Sequence, residues 1–143
     1  GHNGMILGQY LDLKFEDTDP SNTEIIEMYG LKTSLLIEFS IISPLIICNK
    51  LNDDWKDLAR CIGISFQLID DLIDVTQPTE IIGKTASKDI ESKKKTLPLT
   101  EGIEKSQKII EEYKLRAFEK LHILDLDNHP LKKYVDDLFR RVN

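Results

Sequence analysis

The stretch from Ile62 to Val75, "IGISFQLIDDLIDV", constrains the fold most. At about 100° per residue, a helical reading puts Ile62, Ile64, Phe66, Leu68, Ile69, Leu72, Ile73 and Val75 on an apolar arc of about 200°. A surface helix needs an apolar stripe only about half that wide. This helix therefore needs packing partners on most of its sides. Gly63, Gln67, Asp70, Asp71 and Asp74 share the remaining sector, which should face a cavity or a narrow wet face.

The rest of the chain offers only helices as partners. A polar loop with Pro20 spans Asp17 to Asn22, and Asn22 or Thr23 is expected to cap a short helix with Glu24 in its first turn. Gly30 interrupts that helix, and an apolar helix follows from Leu31 to Cys48, softened at Pro44. Asn52 or Asp53 should cap the central helix. Thr76 to Lys95 reads as a long loop, and Pro98 suits the first turn of the next helix. From Ile103 to about Leu124, Ile109, Ile110, Tyr113, Ala117 and Leu121 recur at three and four. Leu131 to Val142 forms the last helix, and residues 1 to 14 read as the tail of another. No β-type alternation survives, so the expected class is all-α.

Two bulk properties narrow the function. The 143 residues carry a net charge of −6, a poor match to nucleic acid or an anionic membrane. They are 41% apolar and 31% charged, which suits a single globular unit. Ser34 to Cys48 is strongly apolar, but its 15 or so residues fall short of the ~20 needed to span a bilayer. With Glu38 and Pro44 inside it, the segment reads as a buried core helix and no membrane span is expected. Cys48 and Cys61 lie in apolar helical stretches with no zinc-type spacing and read as buried, reduced thiols. With no signal peptide visible, a cytoplasmic location is expected.

Asp70, Asp71 and Asp74 could be an ordinary wet face. Two effects oppose that. Asp70 and Asp74 are a like-charged i,i+4 pair, costing roughly 0.2–0.5 kcal/mol. They also sit at the negative end of the helix dipole, which disfavours exposed carboxylates by about 0.3–1 kcal/mol each. Hard oxygen ligands without His or Cys would suit Mg²⁺. The next segment, "GKTASKDIESKKKTLP", supplies Lys84, Lys88, Lys93, Lys94 and Lys95, and Mg²⁺ commonly joins one or two carboxylates to a bound phosphate. No P-loop accompanies it.

The combined pattern "FQLIDDLIDVT…GKTASKDIESKKKTLPL" resembles the second aspartate-rich region of the trans-prenyl diphosphate synthases, the polyprenyl synthetases. "GMILGQYLDL" is similar to the family's G-GQ-DL helix, "YGLKTSLL" to its Lys-Thr pair, and "YVDDLFRR" weakly to its closing helix. The resemblance implies an all-α isoprenoid-synthase helical bundle. It implies that Asp70 is the main ligand of a Mg²⁺ bridging to an allylic diphosphate, with Asp71 and Asp74 contributing directly or through water. Lys32 and Lys84 would contact the diphosphate, and Lys94 aligns with the family's later lysine. Lys93 stands where a glycine is usual, so the assignment among Lys93, Lys94 and Lys95 stays open. Thr33 and Gln67 would line the cavity beside the reacting carbons. The implied reaction joins an allylic diphosphate to isopentenyl diphosphate.

The family's first aspartate-rich motif and its upstream basic residues are not in these residues. Asp53-Asp54 reads as a helix cap and Asp136-Asp137 as an exposed face. Residues 1–143 are therefore expected to be the C-terminal portion of a synthase domain, inactive alone and homodimeric when complete. Alternatives are a non-catalytic subunit or regulatory partner of a synthase, a terpene cyclase piece, and a helical module without chemistry.

Overall fold

The computed structural model describes residues 1–76 and 94–142. The α-helices are α1 (Leu7–Phe15), α2 (Asn22–Tyr29), α3 (Leu35–Ile47), α4 (Asp53–Thr76), α5 (Leu97–Glu101), α6 (Ile103–Ile123) and α7 (Pro130–Arg140). Wider π-helical turns, His2–Ile6 and Gly30–Ser34, lead into α1 and join α2 to α3. No strand occurs among the described residues.

The central helix behaves as its wide apolar arc requires. Ile62, Ile64, Leu68, Ile69 and Leu72 of α4 are buried, with Leu58, Ala59 and Cys61 one turn earlier. α6 packs along one side of α4, and α3 with the π-turn before it along another; α2, α5 and α7 also touch it. Ile110, Ala117 and Leu121 of α6 and Val135, Leu138 and Phe139 of α7 complete the core with Ile25, Met28 and Tyr29 of α2. Each fully buried aliphatic side chain contributes roughly 1.5–3 kcal/mol. Lys120 pairs with Asp54 at 2.7 Å and Arg116 with Asp57 at 3.2 Å, which sets the register of α6 on α4.

Helix ends follow local chemistry. Asn52 Oδ1 accepts the Trp55 N–H at 3.0 Å and starts α4. The cap of α2 is Ser21, one residue ahead of the expected Asn22 or Thr23. Its hydroxyl accepts the Glu24 N–H, and the Glu24 carboxylate accepts the Ser21 N–H at 2.8 Å, a reciprocal capping box. Gly30 does not end the helix. The backbone widens into a π-turn there and runs on into α3.

Two expectations are corrected. None of α3's residues is buried, although the segment reads as a core helix. α4 and the preceding π-turn cover one side of α3, while Leu36, Phe39, Ile46 and Ile47 stand between 60% and 84% exposed. The run Asn22–Ile47 is long and apolar enough to cross a bilayer by length and composition. Within it, Lys32 is ion-paired to Asp12 and Glu38 accepts a hydrogen bond from Ser34. Apolarity fixes that such a helix wants cover; it does not fix that these residues supply it. Likewise Cys48, just past the end of α3, is exposed, whereas Cys61 is buried as expected.

Candidate functional site

Two glycines bring the site's elements together. A Cβ on Gly8 would lie 2.3 Å from the Lys32 backbone nitrogen, so α1 rests directly on the π-turn that carries Lys32 and Thr33. A Cβ on Gly63 would lie 2.2 Å from Ser34 Oγ and 2.7 Å from Ser34 Cα, so α4 meets the same turn without a side chain between them. The π-turn is thus held from two sides at backbone contact.

These approaches place a connected row of polar groups. Asp12 on α1 accepts a hydrogen bond from Lys32 Nζ at 2.6 Å. Thr33 Oγ1 donates to Gln67 Oε1 at 2.6 Å, and Gln67 Nε2 donates to Asp71 Oδ1 at 2.9 Å. The amide of Gln67 is thereby oriented at both ends. Burial pushes the Asp71 carboxyl up to about 6, against smaller opposing effects of Tyr29, Gln67 and Lys32. Its second oxygen, Oδ2, is buried and has no hydrogen-bond partner.

The neighbouring acid is handled differently. Asp70 accepts a hydrogen bond from Arg141 Nη2 at 2.7 Å, and the same guanidinium lies over the Phe66 ring at 5.8 Å. Asp70 thus takes its basic partner from the residue just past α7. Asp74 is exposed. Among the described residues, no group of three or more His, Cys, Asp or Glu side chains is placed to hold a metal ion. The structure brings Lys32, Thr33, Gln67 and Asp71 together, and leaves Asp70 turned to Arg141. Lys94 is half-buried ahead of α5, whereas Lys84, Lys88 and Lys93 lie outside the described residues.

The donor set nonetheless fits Mg²⁺. It is all carboxylate oxygen, and Asp71 Oδ2 is a buried acceptor lacking a donor, a cost of roughly 1–3 kcal/mol that a cation or water would relieve. Sequence reasoning gave no role to Asp12, Tyr29 or Arg141. Asp12 lies in the "GQYLDL" motif and Tyr29 begins "YGLKT", so their positions were visible but their partners were not.

Comparison with known proteins identifies the family. The polyprenyl synthetase family profile matches residues 2–125. The chain is 37% identical over 127 residues to geranylgeranyl pyrophosphate synthase 3, chloroplastic, of Arabidopsis thaliana, covering 85% of this chain and 35% of that protein. It is 35% identical over 150 residues to geranylgeranyl pyrophosphate synthase 10, mitochondrial, of the same plant, covering 98% and 43%. A solved geranyltransferase of Helicobacter pylori, complexed with magnesium and isoprenyl diphosphate, superposes with a TM-score of 0.78 at 28% identity, over 98% of this chain and 48% of that one. The chain thus spans less than half the length of each.

Proposed function

The chain belongs to the polyprenyl synthetase family, and from that premise we propose that it forms the second metal-and-diphosphate half of a prenyl diphosphate synthase of the geranylgeranyl type. The observation that carries the reading is the continuous row from Thr33 through Gln67 to Asp71, with Lys32 beside it. It joins the Lys-Thr turn to the aspartate motif, the two elements an allylic diphosphate would have to meet at once.

In this reading, Asp70 would be the main Mg²⁺ ligand, with Asp71 and Asp74 contributing directly or through water. When bound, the ion neutralises charge on the departing diphosphate. Lys32, Lys94 and Lys84 contact the diphosphate oxygens as point charges. The bond between the allylic carbon and the diphosphate oxygen breaks with its electron pair on oxygen. The Thr33 and Gln67 oxygens, oriented in advance by their hydrogen bonds, would stabilise the positive charge that develops on the allylic carbon. The double bond of isopentenyl diphosphate attacks the allylic carbon, and a proton then leaves to the released diphosphate. To hold the ion, Asp70 would have to give up its hydrogen bond from Arg141.

The complete synthase would also need the remaining helices and the first aspartate-rich motif, and we expect it to be a homodimer. The exposed apolar faces of α1 and α3 support a need for further cover: Tyr10 and Leu13 are each 58% exposed and Phe39 is 68% exposed. The test is direct. Supplied with Mg²⁺, an allylic diphosphate and isopentenyl diphosphate, residues 1–143 alone should give no product, yet should bind magnesium pyrophosphate in a way that Asp71→Asn removes. Turnover by this chain would refute the half-site part, and binding indifferent to Asp71→Asn would refute the site.

A further inference from the structure

Tyr29 is a large polar side chain in the middle of the core, 1% exposed, and neither the family pattern quoted above nor the reaction gives it a role. Its hydroxyl oxygen accepts the Leu97 N–H at 3.0 Å. That donor is the first amide of α5. Thr96, which precedes it, caps the helix with no side-chain hydrogen bond. Leading amides of a helix have no partner within it, so the phenol takes the place of a cap. Accepting through oxygen leaves the phenol's own proton free, and the Asp71 carboxylate lies beside it.

One side chain thus touches two elements of the site and belongs to a third. Tyr29 ends α2, three residues before Lys32. It faces Asp71 on α4. It anchors the backbone at Leu97, three residues after Lys94. Leu97 is fully buried, so the anchor point cannot slide without opening the core.

We propose that Tyr29 is a positioning residue which fixes Lys94 relative to the Asp71 carboxylate, so that one diphosphate can meet the lysine and the metal-holding acid together. This rests on the reading of the site given above. A phenylalanine at position 29 would fill the core equally well. The hydroxyl is required because a buried helix start needs an acceptor there.

The test uses Tyr29→Phe, Lys94→Ala and the double variant of this chain, titrated with inorganic pyrophosphate and Mg²⁺ and followed by phosphorus NMR, with amide exchange read at Leu97. Losing one hydrogen bond that acts through Lys94 should weaken pyrophosphate binding about three- to tenfold. It should also speed Leu97 exchange while the far-ultraviolet circular dichroism stays native. The double variant should bind about as weakly as Lys94→Ala alone, because the two act through one contact. Tyr29→Phe binding as tightly as wild type, or losses that multiply independently, would overturn the proposal while leaving the site reading intact. If wild type itself does not bind magnesium pyrophosphate, the site reading falls and this role with it.

Discussion

Gly8→Ala tests whether backbone contact between α1 and the Lys32 turn builds the site. The added Cβ would sit 2.3 Å from Lys32 N, 2.6 Å from Lys32 Cα and 2.7 Å from Leu31 C. Ordinary contact begins near 3.4 Å, so α1 would have to retreat by about 1 Å. The obstructing atoms are backbone, so no side-chain rotation relieves the clash. Overpacking of this kind costs about 1–3 kcal/mol. Alanine offsets part of that, because it is better than glycine inside a helix by up to about 1 kcal/mol. The net expectation is a loss of about 1–2 kcal/mol, or a melting point lower by about 3–10 °C in a chain of this size. The retreat would also stretch the 2.6 Å Lys32–Asp12 pair. Gly30→Ala is the control. Its Cβ would meet only the Arg60 guanidinium, at 3.6 Å or more, so it should be neutral or stabilising by up to about 1 kcal/mol. Urea unfolding followed by far-ultraviolet circular dichroism reads both. A Gly8→Ala protein as stable as wild type, or equal losses in the two variants, would mean that α1 does not rest on the Lys32 turn at backbone contact.

The Asp71 carboxyl is held up at about 6 against an ordinary 3.8, chiefly by burial. A raised carboxyl favours the folded state most below pH 4, and that contribution is lost as pH rises toward 6. Without metal, the chain should therefore lose on the order of 2 kcal/mol between pH 4 and 6 from this group. Asp71→Asn should flatten that part of the stability curve, and a curve unchanged by the substitution would count against a buried carboxyl. Arg141→Gln removes the guanidinium 2.7 Å from Asp70 and should strengthen Mg²⁺ binding a few-fold in a calorimetric titration, since the cation would no longer displace a competitor. Weaker binding would mean that Arg141 assists the ligand instead. Leu121→Ala, fully buried in α6, should cost about 2–5 kcal/mol in a urea midpoint experiment. A loss below 1 kcal/mol would mean that the α4–α6 seam is not a packed core.

Periodicity made the helices legible. The wide apolar arc of α4 required a bundle, and the 3–4 spacing along α6 gave the face it buries. The resemblance grouped Lys32, Thr33, Gln67, Lys84, Lys94, Asp70, Asp71 and Asp74 as candidate site residues; of these, Thr33, Gln67 and Asp71 are joined by hydrogen bonds, with Lys32 beside Thr33 and Asp70 turned to Arg141. These are statements about local pattern, and a sequence carries them directly.

Partners across the chain were not legible in the same way. Asp70 and Asp71 are adjacent on one polar strip, and the family resemblance made Asp70 the main ligand. Only the packing of α7 and α2 against α4 separates them. It gives Asp70 an arginine 71 positions away and half-buries Asp71 beside Tyr29, with one buried oxygen lacking a donor. The same holds for α3, whose composition says that it needs cover and says nothing of where the cover comes from. Sequence alone determined which residues are helical, which face is apolar and where acid and lysine cluster, because those depend on spacing of a few residues. Tertiary structure decided which carboxylate is dry, which is paired and which faces stay open, because desolvation and pairing depend on what lies opposite.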